Sequence, residues 1–268
     1  MRPRRSRRAK GPVRRKVAVA TWRAPVEGRI HARAEVDVTA ALAHLAHLRA
    51  TTGVKVTLTH LVCAALGRAM REVPEARARV VLGRIRPIED CTLALAVDVD
   101  DGADLAPVRI EHADRLGSVE IARLAQGRVT RLRDGRDRHH SRSSALVRLT
   151  PGFVMRPLVR TASLLVGGFG VSFLGQPGRP LGTAFVSNVG TLGLEEAFLA
   201  PVPFARTAVY LAIGSVRDRV VAVDGEAVVR PTTVLVATAD HRIVDGAHAG
   251  RLQRVLLDLL AHPERLDG

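Results

Sequence analysis

Segments with strand-type and helix-type patterns alternate along this chain without a regular repeat, and this mixture restricts the fold more than any other feature. Strand-like segments lie near 29–38, 80–88, 92–100, 105–110, 183–188, 207–216, 219–223 and 227–238. Asp224-Gly225 stands between the last two segments, and an Asp-Gly pair in that position predicts a tight hairpin turn.

Four helices are predicted around these strands. In the second of them, apolar residues recur at the i, i+3, i+4, i+7 spacing of an amphipathic helix. The four are "DVTAALAHLAHLRATTG" (37–53), capped by Asp37 or Thr39, "TLTHLVCAALGRAMREVP" (57–74), "SVEIARLAQGRVTRLRDG" (118–135) and residues 246–260. Since strands and helices do not form a strict βαβ series, the sequence predicts an α+β fold with helices packed on one face of a mixed β-sheet.

The chain is strongly basic, with a formal net charge of +15 over 268 residues. Nine basic and no acidic side chains lie in residues 1–16, and nine basic and two acidic in residues 128–160. The rest is close to neutral. Aromatic residues make up only 3% of the chain, which gives no stacking platform for single-stranded nucleic acid. We therefore expect a disordered basic tail at 1–16 and consider nucleic acid an unlikely partner.

Residues 134–182 interrupt the pattern with a basic stretch and a glycine-rich apolar segment. We interpret them as an insertion in a single domain that covers 17–268. The apolar run at 161–175 is shorter than the ~20 residues that cross a bilayer, so no membrane span is predicted. Basic residues at the N-terminus lack the apolar core of a secretory signal, which predicts a cytoplasmic protein. Cys63 and Cys91 are expected to be buried thiols.

Two histidines at i, i+3 on the first helix, His44 and His47, have the spacing of metal ligands. No third ligand stands at a matching position, so we predict no metal site and expect both imidazoles to face solvent.

A histidine and an aspartate stand four positions apart, His241 and Asp245, directly before Gly246. They lie between the last strand and the last helix, which places the imidazole at the rim of the sheet. An ordinary histidine pKa of about 6.5 suits a general base near neutral pH. An aspartate before a helix is also a common N-cap, so the spacing alone leaves a catalytic pair and a simple cap open.

The C-terminal third resembles the catalytic domain of the dihydrolipoamide acyltransferases of 2-oxo acid dehydrogenase complexes. The specific element is Asp-His-Arg-x-x-Asp-Gly at 240–246, with Ser-Asn-x-Gly at 187–190 before it. Residues 34–79 and 94–124 are similar to the N-terminal half of the same domain. The matching C-terminal segments are "GTAFVSNVGTLG" (182–193), "AVYLAIGSVRDRVVAVDGEAVVRP" (208–231) and "DHRIVDGAHAGRLQRVLLDLLAHPERL" (240–266).

The resemblance implies a chloramphenicol acetyltransferase-like two-layer sandwich. It also implies a homotrimer, or a higher assembly of trimers, with the active site between subunits. Coenzyme A would take part as the acyl-CoA substrate. His241 would be the base that deprotonates the thiol of coenzyme A or dihydrolipoamide. Ser187 would donate a hydrogen bond to the oxyanion of the tetrahedral intermediate. Asp245 would hold the loop and the orientation of the imidazole.

Family members normally carry lipoyl and subunit-binding domains ahead of this domain, and no lipoyl-type lysine turn precedes residue 34. We therefore expect a stand-alone form, to which a lipoyl group comes only from another chain, and the acyl group and acceptor stay open. Two alternatives are a catalytically idle trimeric scaffold or binding protein, and a condensation-type O-acyltransferase.

Overall fold

The computed structural model describes residues 28–98, 105–133, 152–172 and 177–267. The predicted tail at 1–16 and the basic part of the predicted insertion at 134–151 lie outside these ranges. Within them, no helix is both long enough and apolar enough to cross a membrane.

Nine strands and five helices of more than one turn occur in the described ranges. The strands are β1 (Arg29–Asp37), β2 (Ala78–Val81), β3 (Arg84–Pro87), β4 (Leu93–Asp98), β5 (Leu105–Ile110), β6 (Ala184–Asn188), β7 (Val209–Ile213), β8 (Arg217–Val223) and β9 (Glu226–Asp240). The helices are α1 (Thr39–Thr52), α2 (Leu58–Glu72), α3 (Ser118–Arg133), α4 (Gly152–Ala162) and α5 (Gly246–Ala261). A π-helical segment, Ser163–Phe169, directly follows α4.

Seven strands form one mixed sheet in the order β1-β9-β7-β6-β4-β5, and β8 pairs with the first half of β9. Strands β4, β6 and β7 are parallel to one another, and the other pairs are antiparallel. Strands β2 and β3 form a separate hairpin. The predicted strand near 80–88 is therefore two short strands outside the main sheet.

The main core lies between the sheet and a layer of helices. Helix α2 is its centre: Leu61, Val62, Cys63 and Ala65 are fully buried. A side chain at Gly67 would collide with the backbone of Ala113, so glycine lets α2 pack closely there. The predicted α+β fold, with helices on one face of a mixed sheet, is confirmed.

Both cysteines are buried, as predicted. Burial raises the pKa of the Cys63 thiol to about 12 and that of the Cys91 thiol to about 11. Neither thiol is therefore available as a thiolate near neutral pH.

The hairpin between β8 and β9 has the turn that the sequence predicts. Asp224 and Gly225 both have positive φ angles, 51° and 86°. Two consecutive residues in this region are typical of a type I′ turn, whose twist matches that of antiparallel strands. The turn fixes the register of the long strand β9, which ends immediately before His241.

One side-chain prediction is wrong. His44 does not face solvent: its Nε2 lies 3.1 Å from Oδ2 of Asp267. The Asp267 carboxylate also accepts hydrogen bonds from the backbone N–H of Ser118, at 2.6 Å, and from its hydroxyl, at 2.7 Å. Asp267 thus caps the N-terminus of α3 from a distant part of the chain, and His44 contributes to this contact. His47 is exposed, as predicted.

The described part of the predicted insertion packs against the loop before β7. The Ser163 hydroxyl donates to the carbonyl oxygen of Phe204 at 3.2 Å and accepts from Arg206 Nε at 3.2 Å. Gly167 approaches the Phe204 carbonyl so closely that a Cβ atom would overlap it. These contacts attach the π-helical segment to the loop that precedes β7.

Candidate active site

His241 follows the last residue of β9 and is exposed. Its backbone N–H donates to the carbonyl oxygen of Gly28 at 3.2 Å, and its ring Nδ1 lies 3.0 Å from the carbonyl oxygen of Val244. Because a carbonyl only accepts hydrogen bonds, Nδ1 carries a proton. In the neutral form of the ring, Nε2 is therefore the nitrogen that can accept a proton.

The turn that carries His241 is held by Asp240 and Arg242. Arg242 donates to both carboxylate oxygens of Asp240, from Nε at 2.9 Å and from a terminal nitrogen at 2.6 Å. Arg29 adds an ion pair at 3.3 Å. Burial of Asp240 acts to raise its pKa, but the bonds and charge of Arg242, with the charge of Arg29, lower that pKa overall. The carboxylate therefore stays ionised and keeps the turn closed.

Asp245 is the N-cap of α5. Its Oδ1 accepts a hydrogen bond from the backbone N–H of His248 at 2.9 Å, and His248 Nδ1 accepts in return from the backbone N–H of Asp245 at 3.4 Å. The hydrogen bond from His248 lowers the pKa of Asp245. The direct partner of the His241 ring is thus the Val244 carbonyl, while Asp245 fixes the start of the helix that follows. Sequence patterns give no signal for a backbone partner such as Val244.

Ser187 lies near the end of β6 and is half-buried. Ala96 of β4 and Ala212 of β7 flank it in the sheet. Its neighbours Val186 and Asn188 face the helices, since Val186 belongs to the main core and Asn188 donates to the Thr59 hydroxyl at 2.7 Å. Side chains alternate along a strand, so Ser187 projects from the opposite face between two small residues.

The register of the sheet separates Ser187 from His241 within one chain. Ser187 is level with Ala212 of β7, and Ala212 is level with Val236 of β9. His241 is five residues beyond Val236, which corresponds to about 17 Å along the strand, with two strand spacings, about 10 Å, across the sheet. The two residues therefore lie at opposite ends of the sheet and do not form one site within a single chain.

A cavity of about 260 Å³ lies at the Ser187 end of the sheet, between β4 and helices α2 and α3. Most of its lining is apolar. His60, which sequence analysis did not single out, lines it together with Leu95, Val97, Ala125, Gln126, Val129 and Thr130. The His60 ring also closes a capping box with Thr57 at the start of α2. Burial lowers the pKa of His60 to about 4, so the ring is neutral.

The sequence matches a family of acyltransferase catalytic domains. The model of the 2-oxoacid dehydrogenases acyltransferase (catalytic domain) family matches residues 11–145 and 181–267. The chain belongs to this family. Residues 146–180, between the two matched segments, include much of the predicted insertion, whose status as an insertion is still a prediction.

Named relatives point to the same family. The chain is 25% identical over 216 residues to the dihydrolipoyllysine-residue acetyltransferase component of the pyruvate dehydrogenase complex of Mycoplasma capricolum, covering 80% of this chain and 40% of that protein. It is 26% identical over 235 residues to the corresponding Bacillus subtilis component, covering 86% of this chain and 44% of that protein. The chain therefore spans less than half the length of these relatives.

Solved structures share the fold. A probable dihydrolipoamide acetyltransferase from Listeria monocytogenes superposes with a TM-score of 0.69 at 18% identity, covering 93% of this chain and 90% of that chain. A truncated catalytic core of the 2-oxoacid dehydrogenase multienzyme complex from Thermoplasma acidophilum gives 0.62 at 21% identity, covering 89% of each chain. At these identities the likeness establishes the fold.

Proposed function

We propose that the protein is an acyltransferase that moves an acyl group between a thioester of coenzyme A or of a lipoyl group and a thiol acceptor. Membership of the acyltransferase catalytic-domain family supports the reaction class. The observation that carries the proposal is the hydrogen bond between His241 Nδ1 and the Val244 carbonyl, because it leaves Nε2 as an exposed base. In the proposed reaction, coenzyme A is a substrate.

In the proposed reaction, His241 Nε2 accepts the proton of the acceptor thiol while the sulfur attacks the thioester carbonyl. A thiol pKa of about 8.5 is close enough to that of imidazole for this transfer to be efficient near neutral pH. The carbonyl π bond breaks and its oxygen becomes an oxyanion. When the intermediate collapses, the carbon–sulfur bond of the donor breaks and the imidazolium returns the proton to the leaving thiolate.

Ser187 is proposed to donate its hydroxyl hydrogen to that oxyanion. The residues on either side of it in the sheet, Ala96 and Ala212, both have small side chains. Since the full negative charge exists only along the reaction path, the hydrogen bond favours the transition state over the bound substrate.

The separation of Ser187 from His241 within one chain supports a site shared between subunits. We propose a homotrimer, or a higher assembly of trimers, in which Ser187 of one protomer meets His241 of its neighbour. The cavity beside His60 lies on the helix-covered face of the sheet, opposite the side chain of Ser187, so the proposed reaction does not use it. One similar solved structure is the cubic core of a pyruvate dehydrogenase multienzyme complex. That relative therefore forms an assembly of many subunits, which supports the proposal of an assembly here.

Asp245 is proposed as a positioning residue. The Azotobacter vinelandii dihydrolipoamide acetyltransferase was studied for the role of a serine, a histidine and an asparagine in its mechanism, and its histidine and asparagine are four positions apart. Asp245 stands four positions after His241 in this chain. Both aspartate and asparagine cap helices well, so the shared property is the cap rather than the charge.

We also propose a lipoyl group on another chain as an acyl donor or acceptor, because the relatives are named dihydrolipoyllysine-residue acetyltransferase components. A cytoplasmic location is part of the proposal and rests on the sequence alone.

The decisive experiment measures transfer from acetyl-CoA to dihydrolipoamide by the wild-type protein, His241→Ala and His47→Ala. His47 is exposed on α1, so its replacement is a control for loss of a surface histidine. We expect His241→Ala to lower kcat by about 10²–10⁴ and His47→Ala to leave it unchanged. Equal turnover by both variants would exclude His241 as the base, and a wild-type protein that transfers no acyl group would favour the idle scaffold.

A further inference from the structure

A second polar cluster, which includes neither Ser187 nor His241, lies where the β2–β3 hairpin meets the described end of the predicted insertion. Arg79 on β2 is its most buried member, with 8% of its surface exposed. Its Nε and one terminal nitrogen are buried and have no hydrogen-bond partner among the described residues. A buried guanidinium without partners is costly, because it loses the hydrogen bonds that water provides.

Two further guanidinium groups approach this position. Arg109 on β5 donates to the carbonyl oxygen of Gly178 at 3.0 Å, and Arg179 is the next residue in the chain. The buried Nε atoms of both arginines also lack a partner within the described ranges. The positive charge of Arg179 lowers the pKa of both Arg79 and Arg109, so Arg179 lies near each of them.

The carboxylates nearby do not neutralise the cluster. Asp90 lies 3.9 Å from Arg179 and its side chain is 63% exposed. Glu111 lies 3.7 Å from Arg109 and its side chain is 55% exposed. Ion pairs of this length and exposure contribute little. Among the described residues, the three guanidinium groups therefore share two solvated carboxylates at the outer limit of an ion pair, and neither carboxylate is bonded to the buried nitrogens of Arg79.

Burial, followed by the charge of Arg179, lowers the pKa of Arg79 to about 10. Burial also lowers the pKa of Arg109. Both groups still carry a positive charge at neutral pH. The folded chain thus holds like charges together at a partly buried position, an arrangement that an anion would stabilise.

The backbone holds this arrangement in place. Arg179 has a φ angle of 55°, in the left-handed region that residues other than glycine seldom adopt. Its backbone N–H donates to the carbonyl oxygen of Val166 at 3.0 Å. Its guanidinium lies against Gly170, where an added Cβ would be 2.9 Å from Nε. The π-helical segment therefore positions the Arg179 side chain.

We propose that Arg79, Arg109 and Arg179 form a binding site for a phosphate-type oxyanion, distinct from the acyl-transfer residues. A guanidinium group donates two parallel hydrogen bonds to such an anion, and the unpaired Nε and terminal nitrogens supply these donors. Bound anion would link the hairpin, β5 and the predicted insertion, three parts of the chain that are far apart in sequence.

The test measures thermal unfolding in inorganic phosphate and in sodium chloride at the same ionic strength, for the wild-type protein, Arg79→Met and Arg254→Met. Arg254 is exposed on α5 and its replacement removes the same charge. We expect phosphate to raise the Tm of the wild-type protein and of Arg254→Met, and to leave that of Arg79→Met unchanged. Saturation at one hundred times the Kd corresponds to about 2.7 kcal/mol of stabilisation.

Arg79→Met is expected to fold, because methionine fills the same space without an unpaired charge, and its Tm in chloride should be at least that of the wild type. A phosphate effect of equal size in Arg79→Met would overturn the proposal, as would a wild-type protein that phosphate does not stabilise beyond chloride. Repeating the titration with ADP distinguishes the source of the anion. Stabilisation by ADP at lower concentration than phosphate, dependent on Arg79, would identify a nucleotide phosphate as the ligand.

Discussion

Ser187 and His241 project from opposite ends of the central sheet, about 17 Å apart along the strand direction. We therefore predict that two inactive proteins, Ser187→Ala and His241→Ala, regain part of the activity when their subunits are allowed to exchange. A mixed assembly contains interfaces in which the intact Ser187 of one protomer faces the intact His241 of another. Acyl transfer is measured before and after exchange.

The control for this experiment is each variant exchanged with itself, which should stay inactive. Subunit exchange is followed independently, by mass spectrometry of isotopically labelled protomers. Demonstrated exchange without recovery of activity would show that the site is not shared.

A second prediction separates the cap made by Asp245 from its charge. Asp245→Asn keeps the hydrogen bond to the His248 backbone and should retain most of the activity, while Asp245→Ala removes it and should lower both Tm and kcat. Thermal unfolding and acyl-transfer rates of the two variants check this. Loss of activity in Asp245→Asn at unchanged Tm would instead assign a chemical role to the carboxylate.

A third prediction concerns acid stability. The pKa of His60 in the folded protein, about 4, lies below its ordinary value of 6.5, so the unfolded chain binds the proton first as the pH falls. Stability from this group is complete above about pH 6.5 and is lost towards pH 4, by on the order of 3 kcal/mol. His60→Gln retains a capping-box side chain and does not titrate. Urea unfolding should show a flatter pH dependence for this variant.

The matched control for acid stability is His47→Gln, which replaces an exposed histidine on α1. Its pH profile should follow that of the wild type. Identical profiles for His60→Gln and the wild type would mean that His60 is accessible to protons in the fold.

A fourth prediction uses two glycines in helical segments. Gly167 meets the Phe204 carbonyl, whereas a Cβ at Gly127 of α3 would contact nothing within 4 Å. Gly127→Ala should raise the free energy of unfolding by about 0.5–1 kcal/mol, because alanine favours the helix. Gly167→Ala should lower it by roughly 1–3 kcal/mol, because the backbone must shift. If both variants are stabilised, the π-helical segment does not pack firmly on the loop at Phe204.

Local patterns predicted most of the elements, because their signals lie within a few residues of each other. Gly53 has a φ angle of 66°, in the left-handed region, and ends α1. The sequence predicted that the first helix ends at this residue. The Asp224-Gly225 turn and the start of α5 after Asp245 also follow from short-range chemistry. The ion pair between Arg242 and Asp240, two residues apart, is a contact of the same kind.

The sequence did not reveal contacts between distant residues. Asp267 caps α3 across 149 positions, and nothing near Ser118 indicates this partner. Helix α4 was missed because it contains Pro157, which removes a backbone donor and normally argues against a helix. The cluster around Arg79 brings three distant segments together, so only the fold makes it visible.

Strand β9 lies between β1 and β7, so β1 can join the sheet only after β9 has been synthesised. About 200 residues separate the paired strands, and translation at about 5–20 residues per second leaves β1 outside the ribosome for roughly 10–40 s before its partner emerges. During synthesis, the N-terminal strand is thus an unsatisfied edge that is exposed to other nascent chains. The sheet, and the turn that carries His241, can therefore be completed only near the end of synthesis of the chain.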